Sequence, residues 1–498
     1  MKKVMFVAAF VLGLGSVKAQ NKNTLLQADF WKQNPTVETV KAEIAKGNNP
    51  AALDPRAFDA TTMAINNNAP TETIKFLVEQ PGNGVAKITH DSRIYLHWAA
   101  LRGNAELVEY LIAKGSDLQT PDSHGSEPIV FAISGGQKNV AVYDAFVKGG
   151  IDLKKKYKNG ANLLLLGIAN DSDLAIANYL ISKGLSLKDV DAEGATAFDY
   201  AAKSGNVEVL KNLLGKGVKA TNAALIFMSQ GGRGTAAPIA SYQYLVEELK
   251  LNPNFANKSG NVLHTIVRKP NQEEIIKYFL AKGVDVNKTD AEGVTPLMNA
   301  AGGKNLAVVE LLAPKVKNIN AVNERGESAL TAAVATGSPE VVAFLLNKGA
   351  NVKIEDQAGH NLAYFVVQNY RPAGPQAGAN AKDEFAEKLS LLKSKGLNVE
   401  GPQKDGSTLY HIAIAKADLG LLKKLAALKI DINAKNKEGL TVLHRAALIS
   451  KDDEILKYLI ASGADKSLKT EFDETAFDLA SENEFLSKKN ISVDFLKN

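Results

Sequence analysis

Residues 290–320 alternate short polar turns with two apolar stripes, and most of the chain repeats that arrangement. Asp290-Ala291-Glu292-Gly293 is a polar turn, in which Gly293 is free to take the positive φ that other residues avoid. Thr295-Pro296 then opens a helix: the threonine hydroxyl suits the first free N–H groups, and proline at the first helical position sacrifices no hydrogen bond. Leu297, Ala300 and Ala301 form a thin stripe of small apolar residues fit for close helix packing. A second helix over Leu306–Leu312 is predicted to bury Val308, Val309, Leu311 and Leu312. A turn, a helix, a turn and a helix are too little to bury both stripes, so each segment needs neighbours.

The neighbours are spaced regularly. The turn glycines Gly260, Gly293, Gly326 and Gly359 are 33 residues apart, as are Gly406 and Gly439. Gly194 and Gly260 are 66 apart, and Gly125, Gly160 and Gly194 follow at 35 and 34. A fixed period of this kind marks a stacked repeat architecture. The copies share a D-x-x-G turn, a first helix as in Thr441-Val442-Leu443-His444-Arg445-Ala446-Ala447 or Leu96-His97-Trp98-Ala99-Ala100, and a second as in residues 341–350, VVAFLLNKGA. On these motifs the chain resembles the ankyrin repeats over nearly its whole length. The resemblance implies an all-α solenoid of about 14 helix-turn-helix units with short hairpin turns, stabilised by contacts between neighbours.

Departures from the pattern set the expected boundaries. Residues 1–19 have a basic start at Lys2 and Lys3, an apolar run over 4–14 and a small-residue site at Val17-Lys18-Ala19. That is the form of a secretory signal peptide, and the run is too short to span a bilayer. Residues 20–498 are expected to form a single continuous array, capped by 24–53 at one end and 470–498 at the other. The first cap offers Leu25, Leu26, Phe30, Val37, Val40 and Ile44 to the core, and the last carries Phe477, Leu479, Phe485 and Leu486 among many charged residues, as a solvent-facing end unit would. A Pro/Gly/Ala-rich insertion falls near 371–384, and Gly231-Gly232-Arg233-Gly234 interrupts another unit. Both join a first helix to a second and read as surface loops. Eight second helices close with Lys-Gly, at Lys46, Lys114, Lys148, Lys183, Lys216, Lys282, Lys348 and Lys395, which is helix termination by glycine with a charge opposing the helix dipole.

Composition excludes several functions. Residues 1–19 hold three lysines and no acid, so their removal takes the formal charge from +5 to +2, and the charges left are mixed. No nucleic-acid footprint is expected from such a balance. No later segment is apolar and long enough for membrane insertion. The chain has no cysteine, which excludes disulfides, thiol nucleophiles and cysteine metal sites and suits an oxidising compartment. Neither a H-E-x-x-H, a G-x-S-x-G nor a P-loop motif occurs. His97, His264, His411 and His444 occupy the repeat position whose imidazole, by the resemblance, ties adjacent turns. His90, His124 and His360 fall in or beside turns without metal-ligand spacing. Asp191, Asp290 and Asp356 start turns, where bonding to the following backbone accounts for them. No catalytic residue, cofactor or metal is expected.

The resemblance implies a monomeric, non-enzymatic scaffold that binds another protein on a concave face of hairpin turns and first helices. Position by position, the contact residues it implies at the turns are His90, Asp91, Arg93, His124, Glu193, Lys258, Glu292, Glu324, Arg325, Gln357, Lys404, Asp405, Lys437 and Glu438. On the first helices they are Leu101, Arg102, Gln368, Leu448 and Ile449, of which Leu101, Leu448 and Ile449 are the apolar anchors. Export places the chain in the periplasm or envelope, with release outside the cell second. The alternative is a secreted effector that binds a host or competitor protein.

Overall fold

The computed structural model describes residues 23–231, 236–372 and 382–497. The signal-peptide expectation at 1–19, most of the Gly231–Gly234 loop and most of the 371–384 insertion lie outside the described residues. The chain divides into two compact units, one ending at Thr221 and the other beginning at Asn222. Both are helical; among the described residues, paired strands are confined to the hairpin of Ala256–Asn257 with Gly260–Asn261.

Each unit is two layers thick. In the first, the helices Ala60–Asn66, Tyr95–Arg102, Pro128–Ser134 and Leu163–Gly167 pack in succession on one another. Behind them Val37–Ala45, Thr71–Val78, Ala105–Ala113 and Val140–Lys148 do the same. In the second unit every first helix from Ala223–Gln230 to Ala476–Glu482 packs on the next. The segment first read from sequence folds as expected: Thr295 caps Pro296–Ala301, and Leu306–Leu312 buries Val308, Val309 and Leu312, with Leu311 half-buried. The second helix of the glycine-interrupted repeat is irregular, passing from Ile239–Gln243 into a π turn over Tyr244–Glu248.

The turns explain the glycine period. Gly326 has φ 79°, and a Cβ there would stand 3.0 Å from the Gln357 backbone nitrogen in the next turn. Glycine is thus required both for the left-handed conformation and for the approach of the neighbouring turn. Three turns take the same conformation without glycine, at Ala57 (φ 61°), Ser92 (φ 59°) and Asp473 (φ 65°), so the glycine count under-reports the repeats. The turn aspartates behave as read: Asp290 Oδ1 accepts the N–H groups of Glu292 and Val294, each at 2.9 Å.

Several expectations need correction. In the N-terminal cap the largest buried side chain is Trp31, whose indole donates to the Leu25 carbonyl at 2.9 Å. Leu25 and Val40 are buried beside it, whereas Leu26, Phe30, Val37 and Ile44 are half-buried. In the last repeat, in keeping with a solvent-facing end unit, Leu479 and Leu486 are buried and Phe485 is 53 % exposed beneath Lys451. At Lys148 the left-handed residue is Gly150 rather than Gly149. The closing lysines also do more than oppose a dipole. Lys114 and Tyr110 together hold Glu79 of the preceding second helix, at 2.8 and 2.9 Å. Tyr179 and Lys183 hold Asp144 in the same way, and Tyr278 and Lys282 hold Glu247. A tyrosine four residues before the lysine therefore marks a clasp between neighbouring repeats.

Candidate protein-binding face

Four buried histidines fix the relation between turns. His97, His264, His411 and His444 each sit in the third position of a first helix, where Nδ1 accepts the N–H of the capping residue just before the helix. Nε2 must then carry the proton, and it donates to a carbonyl 24–30 residues on: Ser126, Val294, Leu440 and Leu468, at 3.0, 3.1, 3.0 and 2.9 Å. In the repeat 191–221 Asp199 takes that position and accepts instead, from the N–H and hydroxyl of Thr221 at 2.9 and 2.8 Å. Sequence reasoning passed over this exchange, although Thr196-Ala197-Phe198-Asp199 aligns with the histidine motif.

Burial lowers the pKa of all four imidazoles and raises that of Asp199 to about 6. Below about pH 6.5 the unfolded imidazoles bind protons that the folded ones refuse, so stability is lost as the pH falls through that value. Asp199 acts with the opposite sign, because its folded carboxylate takes up a proton first. Urea midpoints are therefore expected to drop between pH 7.5 and 5.5. Asp199→Asn should steepen that drop by removing a group of opposing sign; an unchanged or shallower slope would contradict the assignment.

Backbone bonds between turns set the register of the side chains they display. In the first unit Ser123 N–H donates to the Asp91 carbonyl at 2.8 Å, and Ala192 N–H to that of Asn159 at 2.9 Å. In the second unit Ala291 bonds to Lys258, Glu324 to Glu292, Gln357 to Arg325 and Lys437 to Asp405, each at 2.9 Å. Glu193, Lys258, Glu292, Glu324, Lys404, Lys437 and Glu438 are exposed along these rows, as expected of contact residues. Arg325 lies between Glu327 at 2.8 Å and Glu292 at 3.7 Å. The Gln357 side chain bonds to the Glu324 carbonyl, so the two expected positions are joined. Lys404 lies over Gly359.

Other expected residues turn out to be structural. Arg93 is 6 % exposed; its guanidinium grips Asp122 at 2.9 Å and Asp91 at 3.0 Å and lies over the rings of Trp98 and Phe131. It braces the turns and is not a surface contact. Leu101 is half-buried and packs on Gly135 of the following repeat, which removes it as an apolar anchor. Arg102 is exposed and bonds to Asn66 at 3.1 Å. His90, stacked on Phe58, and the exposed His124 are not isolated: both stand near Asp91 Oδ2, at 3.5 and 3.6 Å. Among the described residues no group of three or more candidate ligands is placed to hold a metal. Leu448 and Ile449 are 45 and 40 % exposed and stay available.

Gln368 and Asp405 are brought together in a cleft of about 210 Å³ in the second unit, with His360, Tyr364, Gln403 and Arg445 among its walls. Sequence reading missed Gln403 and Arg445. One signal was present, since Gln403 stands where most of the other turns have Asp or Asn. Its longer side chain reaches back to the N–H of Asn361, at 2.8 Å.

Comparison with known proteins agrees with this architecture. Models described as "Ankyrin repeats (3 copies)" match residues 61–143 and 239–356, and "Ankyrin repeats (many copies)" match 167–214 and 410–460. The human Transient receptor potential cation channel subfamily A member 1 is 24 % identical over 79 % of this chain and 36 % of its own length. E3 ubiquitin-protein ligase KEG of Arabidopsis thaliana is 25 % identical over 54 % of this chain and 18 % of itself. Alpha-latroinsectotoxin-Lt1a of Latrodectus tredecimguttatus is 25 % identical over 62 % of this chain and 22 % of itself. The chain thus spans little more than a third of the first relative and about a fifth of the others. No helix among the described residues is long and apolar enough to cross a membrane. Ankyrin repeats generally mediate protein–protein interaction and are typically non-enzymatic, and with the paired helices, glycine turns and histidine ties described above, the chain belongs to the ankyrin-repeat family.

Proposed function

We propose that this protein is an exported, monomeric scaffold in which residues 20–498 form one array and residues 1–19 direct secretion. It holds a partner protein against its turns and first helices in the periplasm or envelope. The observation that carries this reading is the row of exposed turn side chains kept in register by backbone hydrogen bonds. Such a surface is ordered before a partner arrives, so little conformational entropy is lost on binding. Leu448 and Ile449 supply exposed apolar area beside it.

The test is capture by tagged chain 20–498 from envelope and secreted fractions of the producing cells, with binders identified by mass spectrometry. One partner is expected to be retained by the wild type and lost from a Leu448→Glu, Ile449→Glu variant or a Glu324→Lys, Arg325→Glu variant. A partner that survives both changes would place binding elsewhere. Fractionation for the chain itself decides between an envelope scaffold, which stays with the cells, and a released effector, which does not.

A further inference from the structure

The cleft in the second unit holds donors that the fold leaves unused. Gln403 is 5 % exposed, and while its Oε1 accepts the Asn361 N–H, its Nε2 is buried without a partner. The guanidinium of Arg445, half-buried in the same wall, has no hydrogen-bond or ion-pair partner among the described residues. Several nearby polar groups are already engaged. Asp356 binds the N–H and Nδ1 of His360, at 2.8 and 2.9 Å. Asp405 accepts from the N–H and hydroxyl of Ser407, both at 2.9 Å. His411 uses both ring nitrogens, on Thr408 and Leu440. The His360 ring lies flat on Tyr364, with centroids 3.7 Å apart and 9° between the planes, which closes one side with an aromatic wall.

Besides the Tyr364 hydroxyl and the exposed Gln368 side chain, the opening brings together one guanidinium, one buried amide N–H and an aromatic wall. We propose that this cleft receives the carboxylate of an aspartate or glutamate side chain from a partner protein. The planar guanidinium of Arg445 suits a carboxylate bidentately, and Gln403 Nε2 gives the buried acceptor a further hydrogen bond. Among the described residues the cleft is lined by a single free cation and by the occupied carboxylate of Asp405, which matches a monovalent group and disfavours a dianionic phosphate. A protein side chain is favoured over a free acid because the opening is continuous with the exposed turn residue Asp405, which belongs to the displayed row. The inference rests on the proposed protein-binding role and specifies one contact within it.

A phage-displayed library of random 12-residue linear peptides, panned on the full chain, tests it. The selected pool is expected to converge on sequences with an acidic residue at a fixed position. A synthetic peptide of the leading sequence should lose about tenfold or more in affinity for Arg445→Gln and for Gln403→Glu. The same loss should follow amidation of the peptide's acidic side chain. Gln403→Glu keeps an acceptor for Asn361 while replacing the unused donor with a negative charge that repels a carboxylate, and its melting temperature reports whether the fold is retained. If Arg445→Gln fails to fold, Gln403→Glu and the amidated peptide still decide the question. A converged pool with no fixed acid, or one indifferent to these changes, overturns the cleft assignment and leaves the protein-binding role standing. A library yielding no binder counts against both.

Discussion

Asp59→Ala is expected to destabilise the first unit by about 3–5 kcal/mol, because it leaves a largely buried cation and a buried phenol without their shared acceptor. Asp59 is fully buried. Its Oδ1 caps the helix Ala60–Asn66 through the Thr62 N–H at 2.8 Å. Its Oδ2 holds Lys87 Nζ at 2.7 Å and the Tyr95 hydroxyl at 2.5 Å. Lys87 also donates to the Ala51 carbonyl and to Asn83, so one carboxylate joins the N-terminal cap, its own repeat and the next. In a stacked array such a loss falls on an interface and is shared by the repeats on either side. Two controls separate the terms. Asp59→Asn can keep the helix cap while losing the charge, and Tyr95→Phe removes only the phenol bond, at about 1 kcal/mol. Trp31 and Trp98, the only tryptophans in the chain, lie in this unit, so their fluorescence in a urea titration reports it. A midpoint shift for Asp59→Ala no larger than that for Tyr95→Phe would show that Lys87 finds water instead.

The contrast between Asp59 and the glycine turns shows what the sequence makes legible. A turn glycine recurs because its conformation is local and every repeat demands it, so a spacing of 33 residues exposes the fold without any knowledge of contacts. The histidine ties are legible for the same reason. Asp59 also reads locally as a helix cap, but its partner Lys87 lies in a segment with no repeat signature, and the pairing exists only in three dimensions. The candidate face divides along the same line. Exposed turn positions such as Glu292 and Lys437 follow from register alone. Arg93 and Leu101 have the right positions but are consumed by neighbours, Arg93 by Asp122 and two rings, Leu101 by the absence of a side chain at Gly135. Gln403 and Arg445 escaped notice because an unused donor is defined by what surrounds it, which no single position states.

Gly337→Ala is expected to cost about 3 kcal/mol, the upper end for over-packing, and to do so without any conformational penalty from φ. Gly337 has φ −74°, a value open to any residue. An added Cβ would stand 2.3 Å from the Ala301 carbonyl oxygen and 2.9 Å from both the Cα and the carbonyl oxygen of Ala333. These are backbone atoms of the helices Pro296–Ala301 and Ala329–Thr336, so no side-chain rotation relieves the clash; the two repeats must part. Gly349→Ala is the matched contrast. Its φ is +88° with nothing within 4 Å of the new Cβ, so only backbone conformation is penalised, at about 1 kcal/mol. Circular dichroism in a urea titration should rank Gly337→Ala as clearly the more damaging. The reverse order would mean that helix spacing in this unit is soft, and softness there would reach the binding face, since the same pair of repeats sets Glu324 against Glu292.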